Sequence, residues 1–331
     1  MLYAAVRPVA RIGLKRYFRR IDLADMENIP RKGAVILAAN HPTTFIEPCI
    51  LACYQDAPLH FMARGDFFKH RIAASLLSGV HIIPIFRLKD GGFEGLKNNY
   101  GSFERAFDVL AAGKKLMILA EGRCIHEKRL RPIQKGTARI ALGALDATTI
   151  EEVYIVPVGV NYTYADRLRS DVMIRFGTPI HASEYLATYR EAPNQAIVAL
   201  SDELSARLAQ DVIAIEQVAD EPLVEHLLQI YRTQFIPQVN GITHDGRQLR
   251  GEKQLVANVV ALPAVKKEGL RGLCYDYFSR LERMRITDAA FAGKYKKQRA
   301  ATSRLLWGAL PFVVFLLWHL PPLLLAQWIA G

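Results

Sequence analysis

Cysteine is scarce in this 331-residue chain, with four in all, at Cys49, Cys53, Cys124 and Cys274. Cys49 and Cys53 form a CxxxC pair with no second pair and no histidines at ligand spacing. That argues against a zinc module and leaves free thiols in a reducing compartment as the expectation. The N-terminus lacks an uninterrupted apolar stretch followed by a small-residue cleavage site, so no signal peptide is expected. There is no Gly-x-Ser-x-Gly elbow, which argues against a serine hydrolase. Nor is there a Walker-type phosphate loop or a Gly-x-Gly-x-x-Gly fingerprint. Repeats, low-complexity runs and Ser-rich linkers are also missing, and 51% of residues are hydrophobic, so a globular body with a sizeable core is expected.

Charge is concentrated at the two ends. The net charge is +11, and residues 1–20 supply six basic side chains (Arg7, Arg11, Lys15, Arg16, Arg19, Arg20) without an acid. Residues 294–304 supply five more (Lys294, Lys296, Lys297, Arg299, Arg304), again without an acid, so the long stretch between is neutral. A nucleic-acid protein spreads its basic residues over a domain face with aromatics between them. Two basic segments beside apolar ones suit anionic lipid head groups better, each residue contributing about 1 kcal/mol near the surface. Membrane lipids are therefore the expected partner and nucleic acid is not, with a solvated charged face as the plain alternative.

Along the chain, residues 2–20 thread Leu2, Val6, Val9, Ile12, Leu14 and Phe18 between arginines at helical spacing, and Pro8 could kink the first turns. From 34 to 160, short apolar runs alternate with periodic stretches. AVILAA (34–39), HIIPIF (81–86), LMILA (116–120) and VYIVPVGV (153–160) read as buried strands, and VMIRFGTPI (172–180) as one more. IEPCILACY, FFKHRIAASLL, SFERAFDVLAAG and GTARIALGAL read as helices between them, with Gly113 as a C-cap. Alternation of this kind predicts an α/β fold, a mostly parallel central sheet flanked by helices. Beyond Tyr185 the pattern turns helical. Residues 305–330 hold 26 residues without a formal charge, long enough to cross a bilayer, while Pro321 and Pro322 leave a kinked span or a re-entrant hairpin open. The expected organisation is a basic interface segment at 1–30, an α/β domain at 31–190, a helical region at 191–300 and a hydrophobic anchor at 301–331. Basic residues before the anchor place the preceding domain on the cytoplasmic side.

The chemistry centres on Asn40-His41-Pro42-Thr43-Thr44-Phe45-Ile46-Glu47, immediately after the strand AVILAA. Open α/β sheets place their ligand sites at such strand ends. His41 and Glu47 are six residues apart, off register for one helix face, and meet only if the chain turns between them. If they meet, the carboxylate fixes the imidazole tautomer and His41 becomes a general base. An ordinary loop histidine is the alternative.

Three further strand ends follow in order: Pro84-Ile85-Phe86-Arg87, then Glu121-Gly122-Arg123 leading into Lys128–Pro132 and Lys135-Gly136, then Val156-Pro157-Val158-Gly159. Over residues 30–180 these resemble the four sequence blocks of the glycerophospholipid acyltransferases, the lysophosphatidic-acid and glycerol-3-phosphate acyltransferase superfamily. The resemblance implies that His41 deprotonates an acceptor hydroxyl and that Glu47 stands for the family's orienting aspartate. It assigns Arg87 to the acceptor phosphate, Glu121 and Gly122 to acceptor binding, and Pro157 to the acyl chain and packing. Two departures stand out. Five residues, rather than the usual four, separate His41 from an acid that is Glu instead of Asp. Cys124 also takes the place of the third-block arginine, with Arg123 one position early. Arg87, Arg123 and Lys135 are the candidate phosphate ligands, since a guanidinium suits phosphate geometry.

The implied reaction needs a base, donors for the developing oxyanion and an apolar groove, but no metal and no bound cofactor. Acyl-CoA or acyl carrier protein would be the co-substrate and donor. The resemblance further implies a membrane-associated enzyme with its catalytic domain on the cytoplasmic face of a bacterial inner membrane. An acyltransferase for a phosphate-free lyso-lipid, and a lipid-binding protein whose catalytic blocks have drifted, remain as alternatives.

Overall fold

The computed structural model describes residues 2–43, 45–68, 70–85, 101–122, 124 and 127–292, together with Ala309 and Val313. Arg87, Arg123 and nearly all of the expected C-terminal anchor lie outside the described residues. The described residues fall into two compact units, one within Met1–Val224 and Pro237–Leu262, the other within Glu225–Ile236 and Pro263–Gly331.

The first unit is built on a nine-stranded sheet. Its elements in chain order are α1 (Leu2–Tyr17), β1 (Arg20–Ala24), β2 (Ala34–Ala39), α2 (Ile46–Tyr54), β3 (Leu59–Arg64), α3 (Arg71–Gly79) and β4 (Ile82–Ile85). Then come α4 (101–111), β5 (Lys115–Leu119), α5 (Gly136–Ala147), β6 (Val153–Tyr162), β7 (Asp171–Phe176), β8 (Ile180–His181), α6 (Leu186–Glu191) and α7 (Pro193–Asp211). After α8 (Glu221–Phe235), β9 (Gly241–Thr243) and α9 (Arg247–Val260) return to this unit.

The strand order is β4-β3-β5-β2-β6-β7-β1-β9, with β8 paired to β6. From β4 to β6 every pairing is parallel; β6 meets β7 antiparallel, and β7, β1 and β9 are parallel to one another. The expected α/β fold with a mostly parallel sheet is therefore what the chain adopts. Three strands, β1, β3 and β9, were not legible in the apolar pattern. Strand β1 comes from within the segment that charge alone groups with the N-terminal helix.

Strand β2 is buried on both faces, as parallel strands are. Ile36 and Ala38 join one core layer with Leu110 of α4, Ile140 of α5 and Leu200 of α7. Val35 and Leu37, one residue out of phase, join the other with Phe18 and with Ile50 and Leu51 of α2. The period of two sends alternate side chains to opposite faces. Each buried Val, Leu or Ile contributes about 1.5–3 kcal/mol. Helix α1 lays Tyr3, Leu14 and Tyr17 against the second layer. Pro8 sits inside it without ending it.

This arrangement makes a switch point. The chain leaves β2 through α2 toward β3, on one face, and leaves the neighbouring β5 through α5 toward β6, on the other. Their carboxyl ends thus part around a crevice, where α/β sheets bind ligands.

In the second unit, His226 stacks on Phe278 of α10 (Ala264–Arg283) at 4.4 Å between ring centroids. Tyr277 donates a 2.5 Å hydrogen bond to Asp288 of α11 (Asp288–Phe291).

Candidate active site

His41 stands two residues past the end of β2, and Glu121 two past the end of β5, so the switch point brings together residues 80 positions apart. Asn40 fixes the exit of β2. Its side-chain amide donates to the Val160 carbonyl at 3.0 Å, and its carbonyl oxygen accepts from the Val160 amide at 2.7 Å. The Ala120 amide donates to the Ala39 carbonyl at 2.8 Å, prolonging the β2–β5 pairing to the edge of the site.

The chain does turn between His41 and Glu47. Glu47 lies in the first turn of α2 and is fully buried. Its Oε1 accepts the Thr43 amide at 2.5 Å and its Oε2 accepts the Thr43 hydroxyl at 2.6 Å. The same Oε1 lies 3.8 Å from His41 Nδ1, which has no hydrogen-bond partner among the described residues. The pair is thus in electrostatic contact, longer than a hydrogen bond, around a carboxylate held rigidly by Thr43. Tyr162 of β6 is buried beside them. Burial, reinforced by the negative charge of Glu47, pushes its phenol well above the ordinary value and keeps it protonated. Cys49, one turn along α2, is pushed up to about 11 by burial and by Cys53 and Glu47, so its thiol stays unreactive at neutral pH.

Glu121 is almost wholly buried, which raises its carboxyl above the usual range. Two main-chain amides pull against that rise: Oε2 accepts from His41 at 3.1 Å and Oε1 from Arg131 at 3.2 Å. One carboxylate therefore ties the histidine loop to the basic stretch after β5. Gly122 follows with φ +68°, a left-handed conformation. A Cβ there would come within 2.9 Å of the Gln134 side chain, so both conformation and space require glycine.

His41, Glu121 and Gly122 line a cavity of about 1640 Å³. Its lining mixes apolar side chains such as Ala10 of α1 and Phe61 of β3 with basic ones, among them Arg7, Arg129, Arg131 and Arg139. Arg129 pairs with Glu221 at 2.9 Å, and Arg131 with Glu127 at 3.2 Å.

Of the residues singled out by sequence, His41, Glu47, Glu121 and Gly122 converge here. Lys135 lies at the N-cap of α5, exposed. Pro157 is buried in β6 in register with Ala38, its carbonyl accepting the Gly177 amide at 2.8 Å, one strand away from the histidine. Arg87 and Arg123 lie outside the described residues. Thr43 and Tyr162 were not anticipated. Thr43 is adjacent to the motif and could have been flagged as a local cap for Glu47; Tyr162 carries no sequence signal. Among the described residues, no group of three or more His, Cys, Asp or Glu side chains could hold a metal ion.

Residues 20–161, from β1 to the end of β6, match the Acyltransferase family model. Glycerol-3-phosphate O-acyltransferase 1 of Saccharomyces cerevisiae is 31% identical over 136 residues, 40% of this chain and 18% of the yeast protein. Glycerol-3-phosphate O-acyltransferase 2 of the same yeast is 30% identical over 112 residues, 34% of this chain and 15% of that protein. The chain thus spans less than a fifth of the length of these curated relatives. Among solved structures, the 1-acyl-sn-glycerophosphate acyltransferase PlsC from Thermotoga maritima superposes with a TM-score of 0.43 at 16% identity, covering 62% of this chain and 80% of that one.

Proposed function

We propose, from the match of residues 20–161 to the Acyltransferase family model and the likeness to two yeast glycerol-3-phosphate O-acyltransferases, that the protein transfers a fatty acyl group from acyl-CoA or acyl carrier protein to a hydroxyl of glycerol 3-phosphate or lysophosphatidic acid. The observation that carries this reading is His41, set at the sheet's switch point against a clamped, buried Glu47 and lining a cavity that holds both apolar and basic side chains.

In this mechanism Glu47 favours the tautomer with the proton on Nδ1, leaving Nε2 to act as base. The acceptor oxygen attacks the thioester carbonyl as its proton passes to Nε2. The imidazolium so formed is stabilised by Glu47, as an orienting carboxylate stabilises the histidine of a hydrolytic triad. The oxyanion collapses, the C–S bond breaks, and the thiolate takes the proton back from His41. A thiol with a pKa of about 8.5 leaves without strong acid help, so no covalent enzyme intermediate is needed. Glu121 acts as a positioning residue, its oxygens spent on the His41 and Arg131 amides.

Helix α1 supports a role at a lipid surface. Val9 is 69% and Ile12 63% exposed, with Lys15 and Arg16 beside them. Among the described residues no helix is long and apolar enough to cross a membrane. We assign α1 to the interface, with the site facing the compartment that supplies acyl-CoA or acyl carrier protein.

A panel of acceptors incubated with purified protein and radiolabelled acyl-CoA tests the proposal. Labelled product from glycerol 3-phosphate or lysophosphatidic acid, and none from monoacylglycerol, is expected. Preference for phosphate-free acceptors would favour the lyso-lipid alternative. No product from any acceptor and either donor would favour the lipid-binding one.

A further inference from the structure

Helix α5 begins in an unusual way. Its N-cap is Lys135, no side chain caps its first turn, and the first turn contains no acid. Its hydrogen-bond ladder opens with the Arg139 amide donating to Lys135 at 3.0 Å, so the amides of Gly136, Thr137 and Ala138 precede that bond. Two cations, Lys135 and Arg139, flank this positive end of the helix dipole, where carboxylates are normally favoured. Electrostatically this is costly for an empty helix and favourable for one that receives an anion.

A second observation points the same way. Thr137 is 1% exposed, yet among the described residues its Oγ1 has no hydrogen-bond partner. Buried hydroxyls are rarely left unpaired. Gly136, Thr137 and Arg139 all line the cavity that His41 lines, and a Cβ at Gly136 would meet nothing within 4 Å. The space beside Gly136 is therefore open. The Arg131 Nε is likewise buried without a partner. The site is tied to the base: Glu121 accepts both the His41 and the Arg131 amides, and the Gln134 amide donates to Ala120 at the end of β5 at 2.8 Å.

The geometry points to the N-terminus of α5, with the Thr137 hydroxyl and the Arg131 and Arg139 guanidiniums, as the seat of the acceptor's phosphate monoester. The position following Glu121-Gly122-Arg123 holds Cys124, which offers phosphate no charge. In this chain the α5 end supplies charge and amide donors together. The occupant rests on the acyl-transfer reading above, whereas the anion site itself does not. Acyl-CoA also carries phosphates, so the test separates the two sources.

Inorganic phosphate is the probe, with wild-type protein, Thr137→Val, Thr137→Ser and Arg139→Gln. Phosphate should inhibit competitively against glycerol 3-phosphate and not against acyl-CoA. Thr137→Val and Arg139→Gln should each raise the acceptor KM and the phosphate Ki together, by about tenfold for a charge-assisted hydrogen bond lost. The acyl-CoA KM should stay unchanged, and Thr137→Ser should restore wild-type values. A shift confined to the acyl-CoA KM would overturn the assignment in favour of donor phosphate, and unchanged KM values would overturn the site itself. Phosphorus NMR line broadening reads binding without turnover. Broadening lost in both variants, in a protein without transferase activity, would sink the acyl-transfer reading and leave the anion site standing. Equal broadening in wild type and variants would overturn the site even with activity intact.

Discussion

At the residue scale, Thr43 decides what Glu47 can do. Two hydrogen bonds from one residue, both at 2.6 Å or less, fix a fully buried carboxylate that also lies 3.8 Å from His41 Nδ1. Glu47 reaches from the first turn of α2 to where the loop has turned back. Glu47→Gln keeps the size and removes the charge that stabilises the imidazolium. It should lower kcat by about 10²-fold or more, the scale of general-base catalysis, with acceptor KM little changed. Thr43→Val should cost about tenfold through one lost charge-assisted hydrogen bond. Steady-state kinetics on both variants, with circular dichroism as a check on folding, decides this. A Glu47→Gln enzyme with wild-type kcat would remove the carboxylate from the mechanism. His41 and Glu47 were legible in the sequence because the strand before them and the turn between them are local. Tyr162 was not, since it arrives from β6 and only the sheet order brings it beside Glu47.

At the scale of elements, β1 was missed by pattern because it buries charge. β1 reads RIDLA, and its Arg20 and Asp22 are 5% and 1% exposed. Asp22 accepts the Thr243 hydroxyl at 2.8 Å, and Asp171 lies 3.8 Å from Arg20 while pairing with Arg19 at 2.5 Å. Partners from β7 and β9 make these burials tolerable, and no local pattern reveals them. β3 hides its character behind His60, which stacks on His81 at 4.7 Å, with Tyr3 of α1 stacked on His81 at 4.9 Å. Burial, His81 and Lys114 push His60 down to about 4. The folded protein thus resists a proton that the unfolded chain accepts near pH 6.5. This contribution to stability is complete above pH 6.5 and is lost as pH falls toward 4. His60→Phe keeps an aromatic in the stack and removes the titration. Its melting temperature should fall less steeply than wild type between pH 6.5 and 4, and equal slopes would contradict the assignment.

At the scale of the molecule, the N-terminal charge is partly internal. Arg7 and Arg11 donate to the Cys53 carbonyl at 3.2 and 2.7 Å, and Arg7 also donates to Gln55, capping the C-terminal end of α2 where cations are favoured. Arg19 and Arg20 turn to Asp171. Lys15 and Arg16 remain on the exposed side with Val9 and Ile12. Composition gave the sign and place of the charge, but a helix packed on α2 spends some of it on carbonyls. Replacing Val9 and Ile12 with Ser should weaken sedimentation with anionic phospholipid vesicles several-fold and leave the melting temperature unchanged, because both side chains are already in water. Unaltered vesicle binding would place the membrane contact elsewhere in the chain.

The central claim is that His41 is the base of an acyl transfer. The most direct measurement is the rate of radiolabelled acyl transfer from acyl-CoA to glycerol 3-phosphate or lysophosphatidic acid by the full chain and by its His41→Ala variant. The account predicts lipid product from the wild type and a loss of at least about 10³-fold in the variant, with the circular dichroism spectrum unchanged. A folded His41→Ala protein that transfers acyl groups at the wild-type rate would contradict it.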